Sequence, residues 1–298
     1  MVQKYFAKLL LIGEYTIIQG GDALAMPFRR YFGNWIWEMD HPAEMKLDGF
    51  AQYMRECTVG NKLLFEFDSK RFEKDIAAGM YFKSNIPVGY GLGSSGALCA
   101  AIYDRYVIHA IDRQETASYG VLKKQLAQME SYFHGKSSGV DPLICYLERP
   151  IWLSGQESIH VVEPKPLEGA NRFFLLDSHQ ARETGPLVAH FQTLIADGLF
   201  AQELSSQLLP ATKTAVQAYI AGDSAQLKSA LKIISVFQFD HFQRMITEPL
   251  RRIWAQGLEQ DTYYIKLCGA GGGGFYLGFT KEPLSNIPAN AELSFLPL

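Results

Sequence analysis

The chain has 298 residues, 48% of them apolar and 20% charged, with a formal net charge of -3. That length can bury the core of one large or two modest domains, and the composition is ordinary for a globular protein. The charge lacks the basic excess of a nucleic-acid surface, and no apolar run reaches the about 18 residues of a membrane span, so neither partner is expected. Lys4 and Lys8 interrupt the apolar start, which therefore does not read as a secretory leader. Cys57, Cys99, Cys145 and Cys268 stand far apart, with no zinc-like spacing. They read as buried thiols of a reducing compartment, which makes the cytoplasm the expected location.

In chain order, Tyr5 to Ile12 is an apolar run of strand length, and Gly20-Gly21 marks a turn. Trp35 to Phe82 reads as several short strands and loops, with Phe65 and Phe67 at strand spacing. A helix is predicted from Gly96 to about Ile111. A second runs from about Glu115 to Phe133, where Leu122, Leu126, Met129 and Phe133 form a core-facing stripe. Ile151 to Leu153 and Phe173 to Leu176 read as strands. Helical stretches follow over roughly Thr184 to Leu208 and Leu227 to Gln256, the second broken near Phe239. The chain closes on two strands, Tyr263 to Leu267 and Phe275 to Phe279, flanking a glycine run. Strands and helices are mixed without strict alternation, which predicts an α+β fold. The stretch from Leu153 to Glu168 divides the chain into lobes of 1–155 and 156–298.

Pro87-Val88-Gly89-Tyr90-Gly91-Leu92-Gly93-Ser94-Ser95-Gly96 is dense in glycine and hydroxyl and opens a helix. Converging backbone N–H groups and the helix N-terminus make such a turn an anion cradle; Ser94 and Ser95 can cap the helix or ligate Mg²⁺. A plain N-cap turn is the simpler alternative for an isolated Gly-Ser-Ser-Gly. Gly91, Gly93 and Gly96 also satisfy G-x-G-x-x-G, but so do Gly269, Gly271 and Gly274, where no helix opens. The N-terminal βαβ unit of a dinucleotide fold is absent. A Walker A loop fails because Glu130, not glycine, stands five places before Gly135.

Pro87 and Gly91-Leu92-Gly93-Ser94-Ser95 match P-x-x-x-G-L-G-S-S, the second motif of the GHMP kinases. Lys8 to Tyr15 resembles their first motif, with Tyr15 where histidine is usual. Lys266-Leu267-Cys268-Gly269-Ala270-Gly271-Gly272-Gly273-Gly274 resembles the third, with Cys268 in place of threonine. A glycine run between strands is more often a hairpin or bulge, yet five glycines within six positions are costly for packing alone. The resemblance implies a two-lobed fold, its N-terminal lobe like domain 2 of ribosomal protein S5 and its C-terminal lobe ferredoxin-like. It also implies ATP and Mg²⁺ as cofactors, with Pro87, Gly89, Gly91, Leu92, Gly93, Ser94, Ser95 and Gly96 around the phosphates, and nucleotide and substrate meeting in the cleft between the lobes.

The segment from Glu130 to Asp141, containing His134-Gly135 and Ser138-Gly139-Val140-Asp141, is similar to the mevalonate kinase pattern of a helical glutamate followed by H-G-x-x-S-G-x-D. The resemblance implies Asp141 as the catalytic aspartate, supported by Lys8, and Ser95 with Glu130 as Mg²⁺ ligands. Such a set suits phosphoryl transfer, which needs cations for the phosphate charge and a carboxylate near the attacking oxygen. Taken singly, Asp141 reads as a turn residue, Glu130 as solvated and His134 as a cap. Gly135-Lys136-Ser137-Ser138-Gly139 also satisfies a hydrolase G-x-S-x-G, followed by Asp177 and His179. That elbow needs a preceding strand, whereas here a helix precedes and Pro142 follows.

Arg182-Glu183-Thr184-Gly185-Pro186-Leu187-Val188 resembles the R-x-T-x-x-L-V segment of mevalonate kinases, although an N-cap at Thr184 accounts for it equally. The resemblance implies Glu14, Tyr15, His134, Gly139, Thr184, Gly271 and Gly272 on the acceptor side. The expected reaction is transfer of the γ-phosphoryl group of ATP to the 5-hydroxyl of mevalonate by a monomer or homodimer. Phosphomevalonate kinase is the alternative, because Gly13-Glu14-Tyr15 and the continuation Gly96-Ala97 are common there. A phosphorylated acceptor calls for extra cations, for which Lys83, Lys136 and Arg182 are candidates. A non-catalytic GHMP-fold binder is a third reading, opposed by the joint presence of Lys8, Ser95, Glu130 and Asp141.

Overall fold

The computed structural model of the protein describes residues 2–39, 47–155, 158–287 and 294–298. Part of the expected lobe boundary, residues 156 and 157, lies outside the described residues. In chain order the elements are β1 (Tyr5–Ile12), β2 (Ala23–Trp37), α1 (Asp48–Val59), β3 (Glu66–Phe67), α2 (Ser69–Ala77), β4 (Met80–Ser84), α3 (Ser94–Tyr106), β5 (Val107–Ile108), α4 (Tyr119–His134) and α5 (Val140–Leu147). There follow β6 (Ile151–Ser154), β7 (Ser158–Val161), β8 (Arg172–Asp177), α6 (Thr184–Ile195), α7 (Gly198–Glu203), α8 (Leu209–Ala221), α9 (Ser224–His241), α10 (Glu248–Gln260), β9 (Tyr263–Leu267), β10 (Phe275–Thr280) and β11 (Ser294–Pro297). The mixture of helices and sheets is the expected α+β class.

Two compact units are built from interleaved segments, 1–9, 26–87 and 92–150 in the first, and 10–25, 88–91 and 151–298 in the second. In the first unit, β4 pairs antiparallel with the end of β2, Gly33 facing Ser84 and Trp37 facing Met80. Helix α3 is its hub. Residues Ala97 to Tyr103 are all buried, as a helix that is apolar all round must be. Leu122, Leu126 and Met129 of α4 are buried as their spacing predicts.

In the second unit, β6 pairs with the start of β2 and then with β7. A separate antiparallel sheet runs β11-β8-β10-β9. Every residue of β9 and β10 is buried, so these strands read as apolar runs without alternation. All four cysteines are buried, and none of them is in a disulfide. Among the described residues no helix is long and apolar enough to cross a membrane.

Several elements depart from the sequence expectation. The stretch from Trp35 to Phe82 contains α1 and α2, and β3 is only two residues long. The aromatic pair Phe65 and Phe67 pointed to strand, while the helical spacing of Phe50, Met54 and Cys57 decides the structure of α1. In α2 the Asp68 side chain accepts from the Arg71 N–H, an ordinary N-cap. Helix α3 starts at Ser94 and stops at Tyr106, because Val107-Ile108 pair with β3 instead. The predicted helix over 184–208 is interrupted at Asp197, which caps α7 through the Leu199 N–H. The break expected near Phe239 falls at 242–247, just before Pro249 opens α10. Helix α5, absent from the sequence reading, begins directly after Gly139.

Candidate active site

In the first unit, a turn, a strand, two helix starts and the end of α4 bring Lys8, Ser95, Glu130 and Asp141 together. The Lys8 N–H in β1 donates to the Leu92 carbonyl at 2.9 Å, tying the strand to the glycine-rich turn. Gly93, with φ of 71°, precedes α3. A Cβ there would stand 2.9 Å from Lys8 Cγ and 3.5 Å from Asp141 Oδ2, so the turn closes directly over these two side chains. The Lys8 ammonium lies 2.9 Å from Asp141 Oδ1, the lysine side chain 8% exposed and the aspartate 33%. Asp141 sits in the first turn of α5, where the helix dipole favours a negative charge.

Gly139 makes that placement possible. It has φ of 73°, and a Cβ would fall 2.2 Å from the Lys123 carbonyl. Only glycine lets the start of α5 lie this close to α4.

Next to the ion pair, Ser95 Oγ donates to Glu130 Oε1 at 3.2 Å and lies 3.0 Å from His134 Nε2. Ser137 Oγ donates to Glu130 Oε2 at 2.5 Å and accepts from the Gly139 N–H at 2.9 Å. Glu130 is buried. Burial, and then the neighbouring Asp141, push its carboxyl up to about 7, against the hydrogen bonds from Ser137 and Ser95 and the charge of Lys8. Among the described residues no group of three or more His, Cys, Asp or Glu could hold a metal ion by itself. Ser94, the first residue of α3, is half-buried, and Gly96 is buried against Asp141 and Pro142.

The second unit holds the other expected residues. Lys266 Nζ lies 2.6 Å from Glu14 Oε1, with the two side chains 3% and 1% exposed. Burial raises the proton affinity of Glu14, and the Lys266 charge opposes it. Tyr15 is 4% exposed and has φ of 64°, a conformation that costs a non-glycine residue on the order of 1 kcal/mol. Its hydroxyl donates to the Ala270 carbonyl at 2.7 Å. Arg182 donates to the carbonyls of Gly271 and Gly273 from Nη1 and of Cys268 from Nη2, each at 3.1 Å. Its backbone N–H donates to Gly89 at 3.2 Å, and burial lowers its proton affinity. The Gly272 N–H donates to the Met245 carbonyl at 2.6 Å. Thr184 is exposed as the first residue of α6, and its neighbour Glu183, not Thr184, is the N-cap residue. The turn at 87–96 divides, Val88 to Gly91 falling in this unit and Pro87 and Leu92 onward in the first.

Three contributors were missed in the sequence. Ser137 appeared only as a would-be hydrolase serine, Arg182 as a motif letter and a spare cation, and Lys266 only as a motif letter. A lysine inside the apolar run Tyr263 to Leu267 was the readable signal, since a buried charge needs a partner. Nothing in the sequence pointed to Ser137 as the second donor to Glu130.

Residues 58–149 match the family model described as GHMP kinases N terminal domain. No curated protein sequence matches the chain. Solved structures share its fold over nearly the full length. Streptococcus pneumoniae phosphomevalonate kinase in complex with phosphomevalonate and AMPPNP is 15% identical, with a TM-score of 0.68 and 100% of both chains covered. L. major mevalonate kinase in complex with R-mevalonate is 14% identical, with a TM-score of 0.64, covering 99% of this chain and 96% of that one. Lactococcus lactis galactokinase complexed with galactose is 16% identical, also at 0.64, covering 99% and 92%. Residues 58–149 thus match the GHMP kinase N-terminal domain, and the chain as a whole shares the fold of these kinases.

Proposed function

We propose that the protein is an ATP-dependent small-molecule kinase with an alcohol acceptor, and that the acceptor is mevalonate, phosphorylated on its 5-hydroxyl. The observation that carries this reading is the Lys8–Asp141 pair at 2.9 Å, set beside the carboxylate of Glu130 and the hydroxyl of Ser95. Asp141 orients the acceptor hydroxyl and takes its proton as the oxygen bonds to the γ-phosphorus and the bond to the β-phosphate bridging oxygen breaks. Lys8 offsets the negative charge gathered there. The N-terminus of α3, with Ser94, Ser95 and Gly96, presents backbone N–H groups suited to phosphate oxygens.

The residues present fit Mg²⁺. Ser95 Oγ and Glu130 Oε1 converge at 3.2 Å, and both are hard oxygen ligands. Mg²⁺ commonly takes only one or two protein carboxylates and completes its shell with water and phosphate. Ser95 and Glu130 would hold it, and it would neutralise charge on the transferring phosphate. Thr184 and the Gly271–Gly272 segment are the proposed acceptor contacts.

Two observations bear on the acceptor. The guanidinium of Arg182 is already engaged by three loop carbonyls, which removes one of three candidate cations for an acceptor phosphate and supports mevalonate. The Gly13-Glu14-Tyr15 sequence favours phosphomevalonate as a second reading. ³¹P NMR of the products separates them: a new phosphomonoester from mevalonate supports the first, and a new diphosphate from phosphomevalonate supports the second. Nucleotide binding without turnover on any alcohol would leave a non-catalytic binder.

A further inference from the structure

We propose that Tyr15 is a positioning residue, whose phenol braces the glycine loop at 268–274 and does not touch the acceptor. Its ring is held between Phe191 and Phe242, with centroids 4.6 and 5.1 Å away, and only 4% of the residue is exposed. That leaves no face for a substrate. The hydroxyl is committed to the Ala270 carbonyl.

The neighbouring residues act on the same loop. Glu14 grips its leading strand through Lys266. Arg182 takes the carbonyls of Cys268, Gly271 and Gly273. Ser178 takes that of Gly274 with its hydroxyl at 2.8 Å and its N–H at 3.0 Å. Ala270 lies between the carbonyls of Cys268 and Gly271 that Arg182 takes, and Tyr15 supplies its donor. A trans peptide points its carbonyl and the following N–H in opposite directions, and no peptide bond among the described residues is cis. Capture of the Ala270 carbonyl therefore turns the Gly271 N–H away from the phenol. Five glycines within six positions give the loop little preference of its own, so its shape depends on such donors. An imidazole at position 15 is shorter than a phenol and would not span to Ala270.

The test is hydrogen–deuterium exchange of the full-length, ligand-free protein, comparing wild type with Tyr15→Phe and Tyr15→His. Tyr15→Phe keeps the ring contacts and removes only the donor. Exchange over 268–274 is expected to rise about fivefold, the effect of one net hydrogen bond, while α4 in the other unit stays unchanged. Tyr15→His should show the same local loosening. Unchanged exchange in the loop, or a rise of equal size in α4, overturns the proposal. The consequence for turnover rests on the kinase reading, but the exchange does not, so the two can fail separately. In the kinase assay both variants should lose kcat. A Tyr15→His enzyme with wild-type kcat and an improved KM for the acceptor would mark position 15 as a direct substrate contact and overturn the proposal.

Discussion

Lys8 Nζ stands 2.9 Å from Asp141 Oδ1, and the lysine is far more deeply covered than its partner, at 8% against 33%. The ammonium is enclosed by the strand and the glycine-rich turn, while the carboxylate keeps an open side. That asymmetry suits a support and a reacting group respectively. Removing the carboxylate leaves a covered positive charge. Asp141→Ala should therefore lower stability by about 1–2 kcal/mol, a figure kept small because the aspartate is a third exposed. In a urea-denaturation double-mutant cycle, Lys8→Met combined with Asp141→Ala should cost less than the sum of the two changes. Strict additivity would show that the pair is not coupled.

Glu130 gives a pH signature. Its carboxyl is raised to about 7 in the folded protein, above the ordinary value of about 4.3 in an unfolded chain. A raised acid favours the protonated folded form, so its contribution is fully present below about 4.3 and is lost as pH rises through about 7. Between pH 5 and 8 the wild type should lose on the order of 2–3 kcal/mol more stability than Glu130→Gln. Thermal unfolding across that range checks it, and parallel curves for the two proteins would reject the assignment. Added Mg²⁺ should narrow the difference in the wild type and leave Glu130→Gln unaffected.

Gly139 and Gly135 separate crowding from backbone strain. Both have φ near 70°, but a Cβ at Gly139 meets the Lys123 carbonyl at 2.2 Å and one at Gly135 meets nothing within 4 Å. Gly135→Ala should cost about 1 kcal/mol. Gly139→Ala should cost about 3 kcal/mol or more, lowering Tm by on the order of 5–10 °C. Equal Tm losses would mean that α5 can shift without penalty.

Lys266 and Glu14 form the most deeply buried ion pair described, at 3% and 1% exposure. Lys266→Met strands a carboxylate and should destabilise by about 3–5 kcal/mol. Adding Glu14→Gln to Lys266→Met should recover part of that loss. Chemical denaturation of the single and double variants reads it out.

The chemistry-bearing segments were legible because their residue types are restrictive: glycine where the backbone turns, serine at the start of α3, and acid at Glu130 and Asp141. The strands β1, β9 and β10 were legible because each is a bounded apolar run. What the sequence hid depends on long-range contact. Helices α1 and α2 are short, and the aromatics beside them mimic a strand pattern. Helix α5 carries Pro142 and follows a glycine, so it reads locally as a turn, and only packing against α4 makes it helical. Tyr15 resembled a substrate contact by its motif position. Its burial between Phe191 and Phe242 comes from residues about two hundred positions away, which no local pattern announces.

We propose phosphoryl transfer to an alcohol with Asp141 at the reacting oxygen. Its most direct test is ADP release with Mg·ATP and mevalonate, phosphomevalonate, galactose or homoserine, for wild type and Asp141→Asn. The wild type should turn over mevalonate strongly, and Asp141→Asn should lose several orders of magnitude of turnover with ATP affinity nearly intact. No acceptor-dependent ADP release by the wild type, or near-normal turnover in Asp141→Asn, would contradict it.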